Sequence, residues 1–129
     1  IRRGEGRQYR LMRTKTPLTP AQLRAMDRVG RKYKGKSYDL RFEWSDGKLY
    51  CSELVWKIYS RGAGIELSVP QRFEDLDLAS KAVKELARAR YGRGKIPLQE
   101  SIVSPRDLYE SAELLTVWDG FGKSAVHGL

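Results

Sequence analysis

A second cysteine is missing from this chain of 129 residues, so Cys51 cannot close an internal disulfide. It is a buried apolar filler, an intermolecular link or a reactive thiol. Histidine is equally scarce: His127 is the only one. One Cys and one His cannot supply the three or four ligands usual for zinc without several carboxylates, so no metal site is expected. No apolar run approaches the roughly 20 residues that span a bilayer, and no membrane span is expected. The glycine pairs Gly62, Gly64 and Gly92, Gly94 lack the lysine and helix start of a phosphate-binding loop, which argues against a nucleotide cofactor. An initiating methionine is absent as well: Ile1-Arg2-Arg3-Gly4-Glu5-Gly6 reads as the middle of a domain, and the N-terminal part is expected to be missing.

What is present is charge. Lys and Arg number 25 against 16 Asp and Glu, a net +9, with 40% hydrophobic residues. Such a balance suits one soluble domain and raises anionic polymers as partners. The basic residues fall in two loose clusters, Arg2 to Arg13 and Arg24 to Lys36, without the signature of a zinc finger, RNA-recognition or helix-turn-helix module. Nucleic acid is therefore not expected as a partner.

Local patterns predict an α+β chain. Tyr9 and Leu11 alternate with polar neighbours and predict a strand with one buried face, broken from Thr14 to Pro17. Thr19-Pro20-Ala21-Gln22 carries a hydroxyl cap, an N1 proline and a capping-box glutamine. A helix follows to about Tyr33, burying Leu23, Met26, Val29 and Tyr33 and ending at Gly35. A turn is expected at Ser45-Asp46-Gly47. From Cys51 a helix with an apolar stripe of Leu54, Val55, Ile58 and Tyr59 runs to about Gly62 and reads as deeply buried. Residues 70–78 read as a loop, 81–91 as a charged helix, and Gly92-Arg93-Gly94 as a turn. Ser104-Pro105 starts a short helix to about Ser111, a strand follows from Leu114 to Trp118, and residues 119–129 read as a loosely held tail.

The stretch that can carry chemistry is Tyr50-Cys51-Ser52-Glu53-Leu54-Val55, where a thiol heads an apolar helix. Unpaired N–H groups and the helix dipole at that end favour thiolate over thiol. The same N–H groups can hold the oxyanion formed when the thiolate attacks a carbonyl. A cysteine nucleophile also needs a base. His127 sits in the tail, where nothing in the sequence fixes its orientation.

Together, Gly35-Lys36-Ser37-Tyr38-Asp39, Phe42-Glu43-Trp44 and Tyr50-Cys51-Ser52-Glu53-Leu54-Val55 resemble the YiiX/YaeF group of permuted papain-fold amidases. The likeness continues through Gly64-Ile65-Glu66-Leu67, Arg90-Tyr91-Gly92 and Ile102-Val103-Ser104-Pro105, over residues 1–118. More distantly the pattern is similar to the NlpC-type cell-wall peptidases. This resemblance implies a permuted papain-like fold with the cysteine helix packed on an antiparallel sheet, and Cys51 as nucleophile beside a supporting Tyr38. It also implies a histidine and an orienting polar residue upstream of Ile1, without which this chain would be inactive alone. Glu53 belongs to the motif, but two positions along the helix it points away from Cys51, which favours a structural role. The implied reaction is hydrolysis of peptide or amino-acyl amides through a Cys51 thioester, on material such as cell-wall fragments, in the cell envelope or periplasm. Two alternatives stand beside it. One is lipid acyl transfer or thioester hydrolysis on the same fold, with Phe42, Trp44 and Trp56 lining a groove. The other is a non-catalytic binding module.

Overall fold

The computed structural model describes residues 9–76, 81–92, 94 and 96–120. The elements are β1 (Arg10–Thr14), α1 (Pro20–Tyr33), β2 (Ser37–Tyr38), β3 (Lys48–Leu49), α2 (Cys51–Ile58), a π-helical turn (Tyr59–Ala63), β4 (Gln71–Arg72), a 3-10 turn (Phe73–Asp75), α3 (Lys81–Tyr91), β5 (Ser101–Ile102), α4 (Pro105–Tyr109) and β6 (Leu114–Asp119). The strands form three pairs: β1 with β6 and β4 with β5 antiparallel, and β2 with β3 parallel. This is the expected α+β mixture. Among the described residues no helix is long and apolar enough to cross a membrane.

Helix α1 begins and ends as its sequence dictates. The Gln22 N–H donates to Thr19 Oγ1 at 3.2 Å, and the Thr19 N–H donates to Gln22 Oε1 at 2.9 Å, a complete capping box. Gly35 follows the helix at φ +82°, where a Cβ would be strained. The Gln22 amide also donates to Ala63 O at 2.9 Å, tying the start of α1 to the π-helical turn. There the chains touch backbone to backbone: a Cβ on Gly62 would lie 2.6 Å from Met26 Cα. Contrary to expectation, Leu23 is exposed, so only Met26, Val29 and Tyr33 of its stripe are partly covered.

Strand β1 turns the other way round from its predicted face. Tyr9 and Leu11 are about half exposed, while Arg10, Met12 and Thr14 are partly covered. The reason is electrostatic and aromatic. Arg10 reaches Asp119 at 2.6 Å across the pair and lies 3.9 Å over the Tyr109 ring, which fixes the even-numbered residues inward. Pairing with β6 also carries the strand through Thr14, past its predicted end.

Of the expected loop at 70–78, residues 77 and 78 lie outside the described residues, and residues 70–76 are not simply a loop, because Phe73 is fully buried and anchors β4 and the 3-10 turn. Phe73 packs with Tyr50 and Ile102, and Phe42, Leu76, Tyr91 and Ile96 close around them. This small core lies under the head of α2. The helix itself packs chiefly on α1, α4 and the π-helical turn, rather than on an antiparallel sheet as expected. It is entered from the parallel pair β2–β3. Of the expected tail, residues 121–129 lie outside the described residues, as does His127.

Candidate active site

Cys51 is the first residue of α2 and is exposed. Its neighbours in sequence are the reverse: Tyr50 and Ser52 are 2% and 3% exposed. The Ser52 hydroxyl donates to Val103 O at 2.7 Å, and the Val103 N–H donates to the Tyr50 hydroxyl at 3.1 Å. Both main-chain polar groups of one buried residue are thus held by the residues flanking the thiol. Burial drives the Tyr50 hydroxyl well above its ordinary range, so it stays neutral.

The N-terminus of α2 differs from the other two whose caps are described. Thr19 and Ser104 each lend a hydroxyl to a first-turn N–H of α1 and α4. At α2 the N-cap is Tyr50, whose side chain makes no cap bond to the helix. Only the reciprocal half of a capping box is present, the Tyr50 N–H donating to Glu53 Oε2 at 3.3 Å. The first-turn N–H groups beside Cys51 are therefore left for another acceptor.

The buried face of α2 is polar, not the apolar stripe expected from its periodicity. Ser52, Glu53 and Lys57 are buried, whereas Val55 is 40% exposed and Leu54 and Ile58 are only partly covered. Glu53 Oε1 accepts from Lys57 Nζ at 2.7 Å. The ammonium also donates to Ser45 O at 2.6 Å and Asp46 Oδ1 at 2.8 Å, and lies 4.9 Å over the Trp44 ring. Arg61 completes the chain of charges by reaching Asp46 Oδ2 at 2.7 Å. Burial pushes the Glu53 carboxyl above its usual range, and Lys57 and the Tyr50 N–H pull it part of the way back. Glu53 thus sits within a closed ion-pair network.

Tyr38 is half exposed on β2, paired in register with Leu49, two residues ahead of Cys51. Next to it Asp39 is buried; its Oδ1 accepts from the Arg41 N–H at 2.8 Å, while Oδ2 has no partner among the described residues. Tyr38, Asp39, Leu40, Arg41, Glu43 and Lys48 line a cavity of about 340 Å³. An open groove of about 640 Å³ runs between α1 and α2 over Met26, Gly30, Leu54 and Ile58, with Arg31 and Lys34 among its lining residues. Among the described residues there is no histidine, and no group of three or more His, Cys, Asp or Glu is placed to hold a metal ion. Trp44 and Trp56 stack edge to face at 5.4 Å, and the Trp56 indole N–H is spent on Ser68 O, so these rings pack against each other.

Sequence reasoning missed Lys57, and it placed Tyr50, Ser52 and Val103 in motifs without giving any of them a role. The i, i+4 spacing of Glu53 and Lys57 was a usable signal for the first. Nothing local connects Val103 to residues 51 positions and more before it.

Residues 1–118 match the profile of the permuted papain-like amidase enzyme, YaeF/YiiX, C92 family. The uncharacterized protein YiiX of Escherichia coli (strain K12) is 37% identical over 117 residues, which cover 91% of this chain and 57% of that protein. The crystal structure of metalloprotein YiiX from Escherichia coli O157:H7 is similar with a TM-score of 0.78 at 35% identity, covering 87% of this chain and 62% of that one. The chain therefore spans about three-fifths of the length of these relatives.

Proposed function

The chain belongs to the permuted papain-like amidase family, and from that premise we propose that Cys51 is the nucleophile of an amide hydrolase acting on peptide or amino-acyl amides. One observation carries the reading: of the three α-helices whose caps are described, the one that bears the exposed thiol is the one whose first-turn N–H groups no cap side chain takes. A Cys51 thiolate attacks the amide carbonyl carbon, and the oxyanion that forms is held by those N–H groups. The C–N bond then breaks, the amine leaves with a proton from the general base, and a Cys51 thioester remains. Water, deprotonated by the same base, hydrolyses the thioester to the acid and restores the thiol. Tyr38, from its half-exposed position on β2, supports the oxyanion or the leaving amine.

The base is a histidine outside the described residues. Cys51, Leu54, Val55 and Ile58 recur at spacings of three and four, so they share one face of α2. That face is incompletely covered. In a protein of the relatives' full length, a segment that packs on this apolar row would be brought alongside the thiol, and we assign the histidine to it. Residues 1–118 would then be the C-terminal portion of the amidase domain, and this chain alone would turn over slowly or not at all. Although the related crystal structure is described as that of a metalloprotein, the described residues offer no cluster of donors for a metal, and no step is assigned to one. Cell-wall fragments are a fitting source of such amides.

In a protein of the relatives' full length, Cys51→Ala should abolish hydrolysis, a loss beyond the roughly 10²- to 10⁴-fold expected for a missing general base alone. Mass spectrometry should trap an acyl group on Cys51. Full activity in that variant would refute the reading and leave a binding module. The groove over Leu54 and Ile58, which continues the face of Cys51, favours acyl-chain substrates as a second reading. Acylation by a lipid ester, and none by peptide amides, would select it.

A further inference from the structure

Val103 is completely buried and is held from both sides. Ile102 before it belongs to β5, paired with β4, and Ser104 after it is the N-cap of α4. The Phe73 N–H adds a bond to Glu100 O at 3.0 Å, and Phe73 fills the core below. The backbone of Val103 is therefore a fixed point in the fold. The two residues that grip it are those on either side of Cys51: Ser52 holds its carbonyl at 2.7 Å and Tyr50 its N–H at 3.1 Å.

We infer that Tyr50 and Ser52 are positioning residues, which set Cys51 and the first-turn N–H groups of α2 in reacting geometry by clamping the head of the helix to Val103. The ends of helices fray, because the first turn lacks intrahelical partners for its N–H groups. At α1 and α4 a cap side chain resists this fraying. At α2 such a cap would consume the N–H groups that an oxyanion needs. The clamp resolves the conflict by fixing the helix end through Val103, 51 residues and more along the chain, and leaving the N–H groups unspent. Glu53 adds a third hold by accepting the Tyr50 N–H.

The inference rests on Cys51 being the nucleophile, and the experiment separates the two. The rate of Cys51 alkylation by iodoacetamide is measured at pH 7 in the 129-residue chain, well below its melting temperature. Cys51 is exposed, so access does not limit the rate. Wild type should react faster than the same chain in urea, and Ser52→Ala and Tyr50→Phe should each lower the folded rate about three- to tenfold, as the N–H groups lose alignment with sulfur. Ser52→Thr, which keeps the hydroxyl, should restore it to within about twofold. Tyr50→Phe keeps the ring on Phe42 and provides a folded variant if Ser52→Ala does not fold. A purely structural pair of hydrogen bonds would lower the melting temperature and leave the folded rate unchanged, and that result overturns the inference. If wild type reacts no faster folded than in urea, the activated nucleophile itself is refuted.

Discussion

Replacing Lys57 with methionine tests the buried face of α2 most directly. Methionine keeps the length of the side chain, so little volume is lost, but it removes a charge and three hydrogen bonds, to Glu53, Asp46 and Ser45 O. Asp46 is more than half exposed and can return to water. Glu53 is 0% exposed and cannot. An uncompensated buried charge of this kind costs about 3–5 kcal/mol, a large share of the roughly 5–15 kcal/mol that holds a domain together. At about 3–5 °C per kcal/mol the melting temperature should fall by about 10–25 °C at neutral pH. The penalty is pH-dependent in a definite sense. Burial already holds the Glu53 carboxyl above its ordinary range, and loss of Lys57 raises it further. The folded variant then keeps a proton that the unfolded chain releases at about 4.3. Below that pH both states are protonated and the charge penalty vanishes; it grows as pH rises toward the raised folded value. Urea unfolding at pH 4 should therefore show only the lost hydrogen bonds, about 1–2 kcal/mol. Adding Glu53→Gln to Lys57→Met should recover the same residual cost at pH 7.5, since the amide oxygen can still accept the Tyr50 N–H. Equal losses at the two pH values, or a double variant no better than the single, would refute this account of the network.

Gly62→Ala should destabilise the chain by about 1–3 kcal/mol, because the new methyl would meet the α1 backbone at Met26, which cannot step aside as its side chain can; thermal unfolding checks this. Arg61 first, and Lys57 after it, hold the Asp46 carboxyl down to about 2. Its contribution is complete above the ordinary 3.8 and is lost as pH falls toward 2. With the side chain 56% exposed, the loss is at most about 1 kcal/mol, and Asp46→Asn should flatten the stability profile between those pH values. Tyr38→Phe should leave the melting temperature unchanged and lower kcat in the full-length protein by about tenfold. Unchanged turnover would remove Tyr38 from the site.

The parts of this fold that could be read from sequence are those whose causes are local. Thr19-Pro20 with Gln22 and Ser104-Pro105 with Asp107 fix two helix starts within four residues each, and Gly35 fixes an end. Cys51 was legible as a candidate for the same reason: its place at a helix head is set by the residues around it. The buried face of α2 was not. Periodicity ranked Leu54, Val55 and Ile58 as core, yet hydrophobicity predicts burial only when a partner surface exists, and the described residues leave that face partly open. Glu53 and Lys57 are buried instead because each is satisfied: Glu53 accepts from Lys57 and the Tyr50 N–H, and Lys57 donates also to the carbonyl of Ser45 and the carboxyl of Asp46, groups outside the helix. Strands β2, β3, β4 and β5, of two residues each, are too short for any alternation to register. Val103 marks the deepest limit. It acts through its peptide N–H and carbonyl, which every residue but proline carries. Almost any side chain there would present the same two groups, so no pattern of residue types can announce the role. The chemistry of the thiol is written in the sequence, while the hold on it is written in the path of the backbone.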